Sequence, residues 1–352
     1  MRRISQALAI AAAIAILAFL AVAQQAGSDG PYKITKTVKA GGAGGFDYVY
    51  ADVAGRRLYI PRTGNPANPG RITIFDLDTL EPVGEIPDTN ARGAAVSAKS
   101  SHGFGSSKPA AMWDSKTLQP IKTIDVQGGP DGILHDAFND RVYIFSHGAP
   151  NVTAINATDG SVAGTIDLGG MPEQAASDGK GRIYIDLEDT NKIAVVDAKT
   201  LTMTGQYDLA GKGGTCAGLA MDVKNNILFV ACRNPQSLVV MNAASGNIIT
   251  TLPLGQGTDG AVFNPATMEV FSSQGDGTLT IVKENSPTSF VVEQTLQTMV
   301  SAKTLTLDTK TNRVLLIAAQ YGTPPTPPPA GGKGPGRGPM VPDSFSILVV
   351  GR

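Results

Sequence analysis

The chain of 352 residues holds two cysteines, one tryptophan and three histidines. The histidines show no H-x-x-x-H or H-x-H spacing, so no linear zinc or copper motif is present and no metal is expected. No G-x-S-x-G elbow occurs, and no Ser/His/Asp set can be nominated from spacing; no catalytic residue is assigned. Glycine-rich stretches such as Gly41-Gly42-Ala43-Gly44-Gly45 precede strands rather than helices, so a phosphate cradle lacks its context and no cofactor is expected. An excess of charge of either sign is also missing. There are 29 Lys and Arg against 30 Asp and Glu with no dense basic run, so neither nucleic acid nor an anionic membrane is an expected partner. Beyond the first residues no helical period is found.

What is present is repetition. An apolar run follows an Asn/Asp/Gly/Lys-rich turn, then a polar loop, then a second apolar run usually closed by Asp or Asn. First runs include Arg57-Leu58-Tyr59-Ile60, Arg141-Val142-Tyr143-Ile144, Arg182-Ile183-Tyr184-Ile185 and Ile227-Leu228-Phe229-Val230. Glu269-Val270-Phe271-Ser272 and Arg313-Val314-Leu315-Leu316 continue the series, and Gly103-Phe104-Gly105 is a weak version. Partner runs lie at 72–76, 110–114, 152–156, 193–197, 238–242, 279–283 and 345–349. A period of about 40 residues in strand-rich units means a propeller. The expected fold is all-β, a seven-bladed β-propeller formed as one domain over residues 24–352. The chain ends on a third strand, and residues 32–38 resemble an outer strand, so the N-terminal strand should complete the last blade and remove an open edge. The recurring Asp/Asn at the ends of third strands is read as a turn-former, its side-chain oxygen accepting backbone N–H bonds. Trp113-Asp114 occurs once and does not make this a WD40 chain.

Residues 1–23 read as a signal peptide: Arg2 and Arg3, an apolar stretch over 7–22, then Ala21-Val22-Ala23 at the cleavage site. An uncleaved anchor is the alternative, although the stretch is just below the ~18 residues of a spanning helix. No cysteine follows it, so a lipoprotein is not supported. A periplasmic or secreted location is expected, with no membrane span after cleavage. Residues 321–342, rich in Pro and Gly, interrupt the last blade as a loop insertion.

In a propeller the loops entering inner strands and those joining second to third strands share the face where ligands bind. Here that face should collect Arg62, Arg92, Asp131, His147 and Glu173, together with Glu188, Cys216, Arg233, Asp259 and Lys303. His102 and His135 fall elsewhere. Cys216 and Cys232 flank one hairpin. Centring its turn on Lys224 sets them opposite one another, close enough to bridge in an oxidising compartment. A register slip or a reduced pair would leave them apart.

The repeats, with Arg-Val/Ile-Tyr-Ile, then Ile-Ala-Val-Val-Asp, then Thr-Leu or Ser-Gly, resemble the YVTN-type or YncE-type β-propeller proteins over residues 32–352. The echoes lie at Gly169-Gly170-Met171-Pro172-Glu173, at residues 191–200, at Ala231-Cys232-Arg233-Asn234 and at Gly275-Asp276-Gly277-Thr278-Leu279-Thr280. The resemblance implies an exported bacterial propeller, in a group where many members have no assigned activity. DNA binding is associated with the family type, and the acidic balance here argues against it. Lactonase propellers share the architecture, but their metal-binding carboxylates find no matching motif. The function expected is a monomeric, noncatalytic binding or scaffold protein for a small polar ligand or a protein partner. The alternative is a lactonase-like hydrolase or lyase using Glu173, His147 or Asp131 as general acid or base.

Overall fold

Each repeat folds because its two central strands are apolar on both faces. Arg141–Ser146 and Asn151–Asn156 are almost wholly buried, whereas the outer strand Pro120–Ile124 of the preceding unit is exposed except at its last residue. A strand covered on both faces reads as a continuous apolar run rather than an alternating one. In the computed structural model, which describes residues 30–65, 68–324 and 338–352, these runs build seven four-stranded antiparallel sheets arranged as a β-propeller. No α-helix occurs among the described residues, and none there is long and apolar enough to cross a membrane. The signal-peptide reading of residues 1–23 and the centre of the Pro/Gly insertion lie outside the described residues.

Blades follow chain order. In the third, Pro130–Asp136 is innermost, followed by Arg141–Ser146, Asn151–Asn156 and Val162–Asp167. The last blade joins Thr304–Asp308, Arg313–Ala318 and Ser346–Gly351 to the N-terminal strand Lys33–Lys39, which pairs antiparallel with Ser346–Gly351. The expected closure is therefore present, one residue further along than the 32–38 of the sequence reading. Residues flanking this pair of strands also dock on the sixth blade: the Tyr32 hydroxyl and the Arg352 guanidinium each donate to the fully buried Glu269 carboxylate. Gln294 holds the Tyr32 backbone through a donor and an acceptor, each at 2.9 Å.

The core is a series of interblade layers. Leu58 and Ile60 of the first blade pack on Leu315, Ile317, Ile347 and Val349 of the last. The weak second repeat has a steric cause. A Cβ on Gly103 would lie 2.2 Å from the Trp113 ring, which is buried and packs at 5.9 Å on Tyr59. The turn acids behave as local formers: Asp76 accepts from the N–H groups of Asp78 and Thr79, and Asp197 from those of Lys199 and Thr200. Those backbone donors hold both carboxyls below the usual range.

Cys216 pairs with Cys232 across the first hairpin of the fifth blade, and their sulfurs are bonded. The register differs from centring on Lys224. Asp222 opposes Ile227, so the hairpin is centred half a residue later, and a bulge between Cys216 and Gly218 restores the opposition. Without that extra residue the two side chains would point to opposite faces.

Candidate functional site at the channel mouth

The bulge in the fifth blade is one of a set. Register shifts occur at the start of the inner strands between Pro130 and Ile133, Pro172 and Ala175, and Thr258 and Gly260. They contain Asp131, Glu173 and Asp259. A bulge re-aims the side chain it carries, and here three carboxylates from three blades turn into one cavity of about 640 Å³. A second tier comes from the residues that end or follow second strands: His147, Glu188 and Arg233. The backbone fixes this tier, since His147 N–H donates to Gly129 and Glu188 N–H to Met171.

The charged groups alternate around the mouth. Asp131 lies 3.6 Å from Arg92, which reaches Asp47 at 3.3 Å. Asp47 meets Lys303 at 3.2 Å, Lys303 meets Asp259, and Asp259 meets Arg233. Arg233 pairs with Glu188, which faces His147 Nε2 at 3.5 Å, and His147 Nδ1 faces Glu173 at 3.7 Å. The chain of contacts thus starts and ends on an acid. Glu173 Oε2 accepts from the Tyr48 hydroxyl at 2.9 Å, and among the described residues no Lys or Arg is ion-paired with it.

This arrangement perturbs the acids. Burial pushes the Glu173 carboxyl up to about 8, assisted by the negative charges of Asp131, Glu188 and Asp259. Asp131 rises to about 6, first through burial and then through Asp47. Asp186, fully buried near Glu173, is raised well above the usual carboxylate range by burial and then by the charge of Glu173. Burial pulls the Lys303 ammonium down, but Asp259 and Asp47 outweigh it and the net shift is upward. One residue beyond Glu173, Gln174 reaches the inner strands of the next two blades. Its Oε1 accepts from Leu219 N–H at 2.9 Å and Ala261 N–H at 3.1 Å.

Eight of the ten residues expected on this face line the cavity: Arg92, Asp131, His147, Glu173, Glu188, Arg233, Asp259 and Lys303. Arg62 does not. It is 1 % exposed and turned outward, donating to the carbonyls of Gly41, Gly42 and Gly44 with its guanidinium 3.7 Å from the Phe345 ring centre. Burial, and then the nearby Arg71, lower its pKa to about 10. Counted from the start of its second strand, Arg62 is level with Ser146, Leu187 and Cys232, one residue before His147, Glu188 and Arg233, so its side chain takes the other face of the strand and meets the glycine loop. Cys216 is likewise withdrawn, into the disulfide. Of the other histidines, His102 Nδ1 contacts the Ala157 carbonyl at 2.8 Å and His135 pairs with Asp140 at 2.9 Å, both away from the mouth. Sequence reasoning missed Asp47 and Tyr48, which also line the cavity. Aligning the end of the short first inner strand, Asp52, with Asp136 places Asp47 level with Asp131 and would have revealed them.

No family model matches this chain, and no curated protein matches it. Among solved structures, a chain described as "Crystal Structure of Mitotic Checkpoint Complex" superposes with a TM-score of 0.68 at 10 % identity, covering 84 % of this chain and 90 % of that one. At that identity the likeness concerns the fold alone. It agrees with the seven sheets and carries nothing about the mouth.

Proposed function

We propose that this chain is an exported, noncatalytic binding propeller of the YVTN type, which takes a small polar ligand at the channel mouth. The carrying observation is the 640 Å³ cavity walled by side chains of both charge signs from several blades. That volume lies in the range of small-molecule sites. Alternating charges on rigid strands favour a ligand that itself offers both donors and acceptors over an apolar one. Arg92, with half its side chain exposed, supplies an accessible cation at the rim. Export is supported by the basic start and apolar stretch of residues 1–23 and by the Cys216–Cys232 bridge. The described flanks of the Pro/Gly insertion, Tyr321 and Met340, pack beside Gly42–Gly45 rather than on the cavity.

Native mass spectrometry of the purified protein tests the reading: wild type should retain a small polar molecule that Arg92→Gln and Glu173→Gln release. Retention unchanged in both variants would refute it. One observation favours a hydrolase or lyase as a second reading. Glu173, raised to about 8 and 3.7 Å from His147, is tuned near neutral pH, where general acid–base groups work best. Turnover of a small lactone lost in Glu173→Gln would decide for it.

A further inference from the structure

The contact chain around the mouth has one break, and the break has a definite chemistry. Cation alternates with acid from Asp131 through Arg92, Asp47, Lys303, Asp259 and Arg233 to Glu188. His147 then links Glu188 to Glu173, and among the described residues no Lys or Arg is ion-paired with both Glu173 and Asp131. We propose that Asp131, His147 and Glu173 are the ligands of a divalent transition-metal ion, of the Zn²⁺ class, bound in this break.

Each residue offers one ligand atom, and the three atoms lie within 4.8 Å of one another. Ligand atoms on a tetrahedral Zn²⁺ with bonds of about 2.1 Å stand about 3.4 Å apart. The 3.7 Å between His147 Nδ1 and Glu173 Oε1 is already close to that. Two further observations point to a ligand here rather than to a chance grouping of acids. Asp131 is 6 % exposed, and its Oδ1 has no hydrogen-bond partner; Arg92 approaches it only to 3.6 Å. His147 Nδ1 is likewise buried and without a hydrogen-bond partner. A buried carboxylate oxygen and a buried imidazole nitrogen, both without a hydrogen-bond partner and on residues of one group, cost stability unless something binds them.

The surroundings match what a metal histidine needs. His147 Nε2 faces Glu188 at 3.5 Å, so the tautomer protonated there would present its Nδ1 lone pair to the site, and Glu188 is itself held by Arg233. A carboxylate behind the ligating imidazole is the common orienting arrangement of metal sites. Tyr48 occupies Glu173 Oε2 and leaves Oε1 for the ion. One imidazole with two carboxylates suits zinc and its neighbours. Calcium takes an all-oxygen shell, which the imidazole nitrogen of His147 disfavours. Three protein ligands leave a coordination position facing the cavity, so a polar ligand could complete the shell. The inference goes beyond the binding reading and stands on its own atoms.

The test is isothermal titration of the chelator-treated, purified protein with ZnCl₂, alongside Asp131→Asn, His147→Gln, Glu173→Gln and the control His102→Gln, each checked by thermal melting. The expected result is one Zn²⁺ per chain in wild type and in His102→Gln. Binding should be at least tenfold weaker in every folded ligand variant, and about 10–100-fold weaker in Glu188→Gln. Absence of one-to-one binding in wild type, or wild-type affinity in the folded ligand variants, would overturn the site. No organic ligand is needed, so this failure is separate from failure of the binding reading above.

Discussion

Replacing Glu284 with glutamine should stabilise the protein at pH 8 and change little at pH 5. Glu284 is 3 % exposed and lies on Thr278–Ser286 of the sixth blade, against Asp222 at the end of Cys216–Asp222 in the fifth. Its Oε1 accepts from Asn225 Nδ2 at 2.8 Å, while its Oε2 and Asp222 Oδ2 are both buried without a hydrogen-bond partner. A proton on Glu284, shared toward Asp222, satisfies both oxygens. Burial, with the Asp222 charge, accordingly raises Glu284 from 4.5 to about 7. The folded state then binds this proton more tightly than the unfolded chain. The stability that it contributes is complete below about pH 4.5 and is lost as pH rises through 7. At about 1.4 kcal/mol per pH unit the whole loss has an upper bound of about 3 kcal/mol. Glutamine keeps the acceptor for Asn225 and donates permanently to Asp222, so it removes the loss. With an unfolding entropy of about 2 cal/mol/K per residue, recovery of 1–3 kcal/mol corresponds to roughly 2–5 °C in melting temperature. Thermal melts of both proteins at pH 5 and pH 8 measure the difference. Parallel curves, with the same gap at both pH values, would refute the shared proton.

Gly103→Ala should destabilise the second blade by about 1–3 kcal/mol, because its Cβ would enter the buried Trp113 ring; chemical denaturation followed by the single tryptophan reads it directly. The double variant Cys216→Ser, Cys232→Ser should lose about 3 kcal/mol, the chain-entropy value for a loop closed over a separation of 16 residues. In the wild type, alkylation of the unreduced, unfolded protein should leave the intact mass unchanged. Tyr32→Phe should cost about 1–3 kcal/mol, since the fully buried Glu269 loses one of its donors. Cleavage near residue 32 in limited proteolysis should accelerate with it, and an unchanged rate would remove Tyr32 as a fastener of the ring.

The fold was legible where burial is two-sided. Runs such as Arg182–Leu187 and Lys192–Asp197 are covered by blades on both faces, so their apolar character survives any uncertainty in register. Inner strands were harder to read because they carry the bulges, and outer strands because they are largely exposed. The candidate site was legible as a set of loop positions, since the repeat assigns equivalent residues to the same face. That logic located Asp131, Glu173 and Asp259 but was applied one residue early at Arg62. It lies one residue before the place in the repeat that Arg233 occupies, so its side chain takes the opposite face and follows the carbonyls offered by Gly41, Gly42 and Gly44. Nor could spacing of histidines along the chain reveal a grouping of three, because Asp131 and Glu173 come from the inner strands of two blades and His147 from a loop.

By itself the sequence determined the period, the strand content, the seven blades and the closure by the N-terminal strand. These follow from local hydrophobicity and turn chemistry, which act over a few residues. Which charged side chains meet was decided only by tertiary structure. One extra residue in an inner strand turns Asp131, Glu173 or Asp259 into the channel, and in the fifth blade it brings Cys216 opposite Cys232. A bulge leaves almost no mark on composition, yet it reverses the face a side chain occupies. The order of charges around the mouth depends on distances of 3–4 Å between blades, and those are set by packing of the whole ring.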